Sequence, residues 1–181
     1  MGISLDELSG VIKGIGKDDV LAVANYLRLT GEFVEVGTFK GVFAERLCAF
    51  TNLARLYCVD PYRAYDGYLD AINGMDMEHN RSTAQARLSA HAHKVVFIRD
   101  FSVDASRGFA DASLDLVYLD GNHQYDFVLG DLRAWFPKVR PGGLLCGDDA
   151  VDGDDALRDE HGNVEIVWGR DPQGRPTSWG R

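Results

Sequence analysis

The sequence predicts an α/β domain in which helices cover both faces of a mainly parallel sheet. Short runs rich in β-branched residues alternate with segments whose apolar residues recur at helical spacing, which is the pattern of βαβ units. The runs are mainly apolar instead of alternating with polar residues, as expected for strands that are buried on both faces. A chain of 181 residues can bury such a core without disulfides or metal ions, so we treat residues 1–181 as one domain.

Five apolar runs are predicted to form the parallel strands. They begin at Phe33, Leu56, Val95, Leu114 and Leu144. Helical spacing follows the first and the fourth run, which indicates that helices connect neighbouring strands.

The segment before the first strand predicts a helical lead-in over residues 1–30. Ser4 and Glu7 have the spacing of a capping box, in which each side chain satisfies a free backbone N–H of a helix start. Asp18 and Asp19 can cap a second helix.

Two other segments interrupt or extend the alternation. Residues 61–93 are long for a connection between a strand and a helix, which predicts a substrate-facing insertion with a helix of its own over residues 77–90. Residues 162–181 predict an antiparallel C-terminal hairpin, because two β-rich runs flank a turn that contains proline and glycine.

Composition narrows the class of partner and the compartment. The net charge of −9 and the pI of about 4.9 would repel a phosphate backbone, which argues against nucleic acid. The three cysteines, Cys48, Cys58 and Cys146, show no paired spacing and fit a reducing compartment. No apolar run has membrane-spanning length and no signal pattern begins the chain, so we expect a cytoplasmic protein without a membrane partner.

The turn after the first strand is the first candidate binding element. Ligands of open α/β sheets bind at the carboxyl ends of the strands, and residues 35–41 read E-V-G-T-F-K-G there. Gly37 and Gly41 would let a ligand approach the start of the next helix, although a simple strand-to-helix turn has the same spacing. The pyrophosphate-binding G-x-G-x-x-G pattern is missing, which argues against NAD and FAD.

Asp60 ends the second strand and is the second candidate. An acidic residue at this position can accept both hydrogen bonds of a ribose diol. It can also be a strand terminator, because Pro61 follows it.

Together these segments resemble a known family. Residues 35–41 are similar to the E-x-G-x-x-x-G motif of class I S-adenosylmethionine-dependent methyltransferases, and Asp60 matches their ribose-binding acid. Residues 113–149 resemble the small bacterial methyltransferases that include the macrocin-type sugar O-methyltransferases. The resemblance spans residues 32–149 and implies the Rossmann-like fold of class I methyltransferases, with a seven-stranded mixed sheet in the order 3-2-1-4-5-7-6.

The resemblance implies S-adenosylmethionine as the cofactor and assigns its contacts. Glu35 and Gly37 would hold the amino acid end, Asp60 and Tyr62 the ribose, and Phe101 with Ser102 would border the adenine. The complete set of predicted cofactor-binding residues is Glu35, Gly37, Thr38, Phe39, Gly41, Asp60, Tyr62, Phe101, Ser102 and Asp120.

Three aspartates predict a metal site. Asp120 ends the fourth strand, and Asp148 and Asp149 end the fifth, so adjacent strands would bring the three carboxylates together. Like charges in contact favour a bridging cation, and hard oxygen ligands suit Mg²⁺, although a solvated acidic rim would show the same residues. The resemblance supports the metal, because macrocin-type and catechol-type O-methyltransferases carry one at these strand ends.

His123 is the candidate general base and Asp120 its catalytic partner. His123 lies three residues after Asp120, in the loop that opens the next helix. A neutral imidazole beside the metal could take the proton of an acceptor hydroxyl, whereas a lone histidine can also be a structural residue or a helix cap. Macrocin-type enzymes carry a D-x-x-H at this position, which supports the base.

The expected function is metal-dependent O-methylation of a small hydroxylated acceptor, such as a sugar or a natural-product intermediate. A metal-independent methyltransferase acting on an amine, or a non-catalytic protein that binds the cofactor, are the alternatives. The chain departs from the family after Asp149, where Ala150 replaces an aromatic residue and the next helix is reduced to about residues 154–160. A neighbouring subunit of a homo-oligomer could therefore complete the acceptor pocket.

Overall fold

The computed structural model describes residues 17–148 in full and residues 167–170 and 176–178 as backbone. The predicted first helix, Asp149 and the predicted helix over residues 154–160 lie outside the described residues.

Helices and strands alternate along the described chain. The helices are α1 (Lys17–Tyr26), α2 (Val42–Phe50), α3 (Met77–Arg87), α4 (Ser102–Ser106) and α5 (Tyr125–Trp135). The strands are β1 (Glu32–Val36), β2 (Arg55–Val59), β3 (Val95–Ile98), β4 (Leu114–Leu119), β5 (Val139–Gly147), β6 (Val167–Arg170) and β7 (Pro176–Ser178). Short 3₁₀ turns lie at Ala71–Gly74, Ser89–His91 and Phe136–Lys138.

The first five strands form a parallel sheet in the order β3-β2-β1-β4-β5, as predicted. β6 continues it antiparallel to β5, and β7 pairs antiparallel with β6 at the outer edge. The predicted end of the order, 5-7-6, is therefore wrong. It was carried over from the family, and the apolar pattern of a hairpin does not reveal which of its strands pairs with the sheet.

Two apolar clusters lie on opposite faces of the sheet. One contains α1 and α2 residues packed on Phe33 and Tyr118, and the other contains Val34, Val117 and the α5 residue Trp135. Neighbouring residues such as Phe33 and Val34 enter opposite clusters because side chains alternate across a strand. All six residues of β4 are buried. Five of them are apolar, as expected for a central strand, and the sixth, Asp115, is paired with Arg140.

Two further predictions, the second helix of the lead-in and the helix of the insertion, are close to the observed elements. α1 begins at Lys17, so Asp18 and Asp19 lie in its first turn instead of capping it. The insertion contains α3, which begins after the N-cap Asp76; the Asp76 side chain accepts a hydrogen bond from the backbone N–H of His79. No helix among the described residues has the length and apolar character needed to cross a membrane.

One edge of the sheet brings together the residues that follow the parallel strands. The backbone N–H of each of these residues donates to the carbonyl of the last residue in the neighbouring strand, at N–O distances of 2.8, 3.1, 2.8 and 2.9 Å. The four residues are Gly37, Asp60, Asp120 and Asp148. The hydrogen-bonding pattern therefore continues one residue past the strands and fixes the candidate site residues along one row.

Candidate cofactor and active site

The turn after β1 is held in conformations that side chains rarely adopt. Gly37 has a φ of 85°, and a Cβ atom added there would lie 1.9 Å from the backbone oxygen of Asp120. Gly41, at the start of α2, has a φ of 72°. Phe39 and Tyr62 also have positive φ angles, of 49° and 44°. Such strain persists only where surrounding contacts enforce it, and two of the four non-glycine residues with positive φ among the described residues lie at the predicted cofactor site.

Glu35 is the strongest single indication of a ligand. Its side chain is buried on β1 with 1% of its surface exposed, and its Oε2 atom has no hydrogen-bond partner among the described residues. The Oγ1 atom of Thr38 is buried beside it and likewise has no hydrogen-bond partner among the described residues. Burial raises the pKa of Glu35 to about 8 against the opposing effect of the neighbouring Thr38 hydroxyl, and the negative charge of Asp120 contributes to the rise. The ammonium group of S-adenosylmethionine would supply the missing partner, so these residues fit that cofactor.

Asp60 joins the two strained turns. Its Oδ2 atom accepts a hydrogen bond from the backbone N–H of Phe39 at 2.8 Å, and its Oδ1 atom accepts one from the N–H of Tyr62 at 2.7 Å. The Tyr62 hydroxyl donates to the Phe39 carbonyl at 3.0 Å. Burial raises the pKa of Asp60. Because each carboxylate oxygen can accept a second hydrogen bond, the same residue can hold the loops and still bind a ribose diol.

Phe101, at the start of α4, belongs to an aromatic cluster. The Tyr65 ring contacts it edge-on at a centroid distance of 5.1 Å, and the guanidinium carbon of Arg63 lies 4.5 Å from the Phe101 ring centroid. Tyr65 also stacks on Tyr68, with centroids 5.2 Å apart. The insertion after β2 therefore packs against the predicted adenine-binding segment.

Ser102 is bonded to the interior of the fold. Its Oγ atom accepts a hydrogen bond from the Nε1 atom of Trp135 at 2.8 Å, which ties α4 to α5. Ser102 also hydrogen bonds to the buried side chain of Asp131, whose pKa burial raises to about 6. The hydroxyl of Ser102 therefore serves the helix packing, whereas its backbone remains at the predicted adenine border.

Asp120 and His123 lie side by side at the end of β4. The Nε2 atom of His123 is 3.8 Å from the Oδ1 atom of Asp120. The loop that carries His123 is tied by Asn122, whose Oδ1 atom accepts a hydrogen bond from the backbone N–H of Gln124 at 3.0 Å. Burial raises the pKa of Asp120. The predicted base and its acidic partner are thus adjacent, and their roles remain predictions.

The predicted Mg²⁺ position contains a lysine instead. The Nζ atom of Lys17 lies 2.6 Å from the Oδ2 atom of Asp120 and 2.9 Å from the Oδ2 atom of Asp148. Within residues 17–148, no three His, Cys, Asp or Glu side chains are grouped so that they could hold a metal ion. Asp149 lies outside the described residues. The two carboxylates that are described do come together, but an ammonium group already bridges them.

Sequence reasoning missed Lys17. The aspartates signalled that a cation was needed, yet Lys17 is separated from Asp120 by 103 positions and belongs to no motif. The chain contains 19 lysine and arginine residues, and the sequence around Lys17 does not distinguish it from the others.

Comparisons with known proteins identify the family of the chain. A family model described as a methyltransferase domain matches residues 34–150. An uncharacterized protein of Acanthamoeba polyphaga mimivirus is 27% identical over 124 residues, which cover 66% of this chain and 52% of that protein. The chain thus spans about half the length of this relative.

Three solved structures are similar in fold. A Corynebacterium glutamicum protein has a TM-score of 0.56 at 14% identity, covering 91% of this chain and 82% of that chain. A Staphylococcus aureus protein named as a caffeoyl-CoA O-methyltransferase has a TM-score of 0.55 at 12% identity, covering 78% and 61%. A Geobacter sulfurreducens methyltransferase has a TM-score of 0.54 at 14% identity, covering 77% and 63%. Identities this low show a shared fold and nothing finer.

Proposed function

The chain belongs to the class I S-adenosylmethionine-dependent methyltransferases, since the family match covers well over half of it, and we propose that it methylates a hydroxyl group of a small molecule. The observation that carries this proposal is the pairing of two features on one sheet edge. Glu35 presents a buried carboxyl group whose Oε2 atom has no hydrogen-bond partner among the described residues. His123 lies 3.8 Å from Asp120 just after the neighbouring strand, β4. The first suits the amino end of the cofactor, and the second suits removal of a proton.

The cofactor supplies an electrophilic methyl group on a sulfonium sulfur. Glu35 would bind the amino group of the cofactor, Asp60 would accept hydrogen bonds from its ribose, and the positive φ at Gly37 would let it approach the β1 backbone. Asp120 lies 3.8 Å from the Nε2 atom of His123 and would stabilise the imidazolium that forms when the Nδ1 atom of this ring takes the proton of the acceptor hydroxyl. Such catalysis consists mainly of positioning and electrostatics.

A hydroxyl acceptor is favoured over an amine because of the base. A neutral amine already has a lone pair for attack, whereas a hydroxyl becomes a strong nucleophile only as it loses its proton. A sugar or a natural-product intermediate remains the acceptor class that we propose, and a homo-oligomer that completes the pocket remains a prediction.

The metal-dependent form of the reaction is a separate prediction. It requires Mg²⁺ to displace Lys17 from Asp120 and Asp148 and to gain Asp149 as a ligand. Activity that survives EDTA would contradict it.

The decisive experiment measures binding and turnover separately. S-adenosylhomocysteine binding is measured by calorimetry, and turnover by its release from S-adenosylmethionine with a panel of hydroxylated and amine acceptors. We expect His123→Ala to lower turnover about 100-fold or more while cofactor affinity stays within about twofold, because the imidazole acts on the acceptor.

The exposed His93 provides the matched control, and His93→Ala should change neither quantity. Turnover that is insensitive to His123→Ala would contradict the base. Turnover with amines alone would move the proposal to N-methylation.

A further inference from the structure

Lys17 is held by more than its two salt bridges. Its Nζ atom lies 5.7 Å from the ring centroid of Phe43 and 5.8 Å from that of Tyr118, and these two rings contact each other with centroids 4.4 Å apart. An ammonium over an aromatic face is attracted by the electrons of the ring. Two carboxylates and two aromatic rings therefore surround one lysine.

This set of groups suits an ammonium better than a divalent metal ion. Mg²⁺ requires about six oxygen ligands in near-octahedral geometry and retains bound water. The ring faces of Phe43 and Tyr118 offer no lone pair to such an ion, but they favour a monovalent organic cation. The residues described here consequently do not fit Mg²⁺ while Lys17 is in place.

The charge of Lys17 is secured by its surroundings. Partial burial would lower its pKa, but the hydrogen bonds to Asp120 and Asp148 act in the opposite direction, and the net effect raises its pKa. Two adjacent carboxylates without a cation would repel each other, so the lysine stabilises this sheet edge.

We infer that Lys17 takes the place of a divalent cation at the end of β4 and β5, so that methyl transfer by this chain needs no metal. The statement about methyl transfer rests on the proposed function. The statement that lysine occupies the site does not depend on it. An ammonium has three N–H donors, and the described bonds use two of them. The third can donate to the oxygen of an acceptor beside His123.

This arrangement also means that the acceptor does not need a second hydroxyl beside the one that is methylated. A metal ion can bind two neighbouring oxygens of a vicinal diol at once, whereas a single N–H donor binds one oxygen. We therefore expect acceptors with one isolated hydroxyl to be methylated as well as their vicinal-diol analogues.

The test uses Mn²⁺ alone, without cofactor or acceptor, so that its result is independent of the proposed function. Binding is measured by the loss of the free Mn²⁺ EPR signal in the full-length wild-type protein and in Asp120→Asn, Lys17→Met and Lys17→Met/Asp120→Asn. We expect the wild type and Asp120→Asn to bind Mn²⁺ equally weakly, through the acidic surface only. Lys17→Met should bind one Mn²⁺ about tenfold or more tightly, and adding Asp120→Asn should abolish that gain.

Two controls keep the test decisive. Lys138→Met removes a lysine that is salt-bridged to the exposed Asp111 at 2.8 Å, and it should not create a Mn²⁺ site. Lys17→Arg keeps the positive charge and should bind no more Mn²⁺ than the wild type. This variant gives a measurable result even if Lys17→Met fails to fold. A Mn²⁺ site in the wild type that Asp120→Asn removes would overturn the inference, and so would a folded Lys17→Met protein without a new site.

Discussion

The acidic side chains at the ends of β1 and β2 and those at the ends of β4 and β5 are balanced in opposite ways. At the ends of β1 and β2, the carboxylate of Glu35 is buried with an oxygen that lacks a partner among the described residues. At the ends of β4 and β5, Asp120 and Asp148 share the ammonium of Lys17. The first half is completed by a charged ligand, and the second is neutralised by the chain itself. The comparison teaches that the cofactor half is preorganised for a cation that arrives in solution, while the acceptor half already contains one.

The largest effect that would break this comparison comes from the contact between the halves. Gly37→Ala places a methyl group 1.9 Å from the backbone oxygen of Asp120, at a φ of 85° that disfavours any side chain. We expect the free energy of unfolding to fall by about 3 kcal/mol or more and cofactor binding to be lost. Chemical denaturation and calorimetry with S-adenosylhomocysteine measure the two effects.

Gly74→Ala is the control for this variant. A Cβ atom added at Gly74 meets no atom within 4 Å, so stability and binding should stay close to those of the wild type. A Gly37→Ala protein as stable as Gly74→Ala would show that β1 and β4 are not packed as described.

The second prediction concerns the pH dependence of the cofactor half. Since the pKa of Glu35 is raised to about 8, this carboxyl is mainly protonated at neutral pH in the free protein. Pairing with the ammonium of the cofactor favours the ionised form, so binding lowers the pKa and releases a proton. Affinity for S-adenosylhomocysteine should therefore rise as the pH increases towards about 8, by at most about tenfold per pH unit, and level off above it.

Calorimetry in buffers of different ionisation enthalpy measures the released proton directly. Glu35→Gln should bind more weakly at neutral pH and without proton release, because its amide neither titrates nor carries charge. Equal proton release by wild type and Glu35→Gln would mean that another group is responsible.

A smaller effect would sharpen the role of Asp60. Asp60→Asn keeps one oxygen acceptor but loses the charge and one of the two loop hydrogen bonds. We expect the binding free energy of the cofactor to weaken by about 1–3 kcal/mol, the usual cost of unpaired buried polar groups. Adenosine, which has the ribose but no amino acid end, separates the roles: its affinity should fall by a similar amount if Asp60 binds the ribose.

The sequence was sufficient for most of the fold because its strongest signals are local. Short, mainly apolar runs predicted β1 to β5, and the long connection correctly predicted a helix near Met77. The sheet edge followed from topology alone, since the carboxyl ends of parallel strands meet. This topology is enough to predict that Gly37, Asp60 and Asp120 lie close together.

Long-range details were beyond the reach of such patterns. The contact of Lys17 with Asp120 depends on how α1 packs against the sheet, and nothing in the neighbouring residues encodes that position. The wrong order of β6 and β7 has a similar origin, because either strand of an antiparallel hairpin can pair with β5. Local pattern thus predicted that Asp120 and Asp148 converge, and only tertiary packing revealed the lysine that bridges them.

The close approach of Gly37 to Asp120 has a consequence for the geometry of the reaction. The turn at Gly37 is the predicted support of the methyl donor, and Asp120 begins the loop that carries His123. Only a hydrogen atom fits between the two backbones, so donor and acceptor would be positioned from one shared, incompressible contact. The separation of the reacting atoms would then be set by main-chain packing, and acceptor specificity could diverge through the surrounding side chains without altering it.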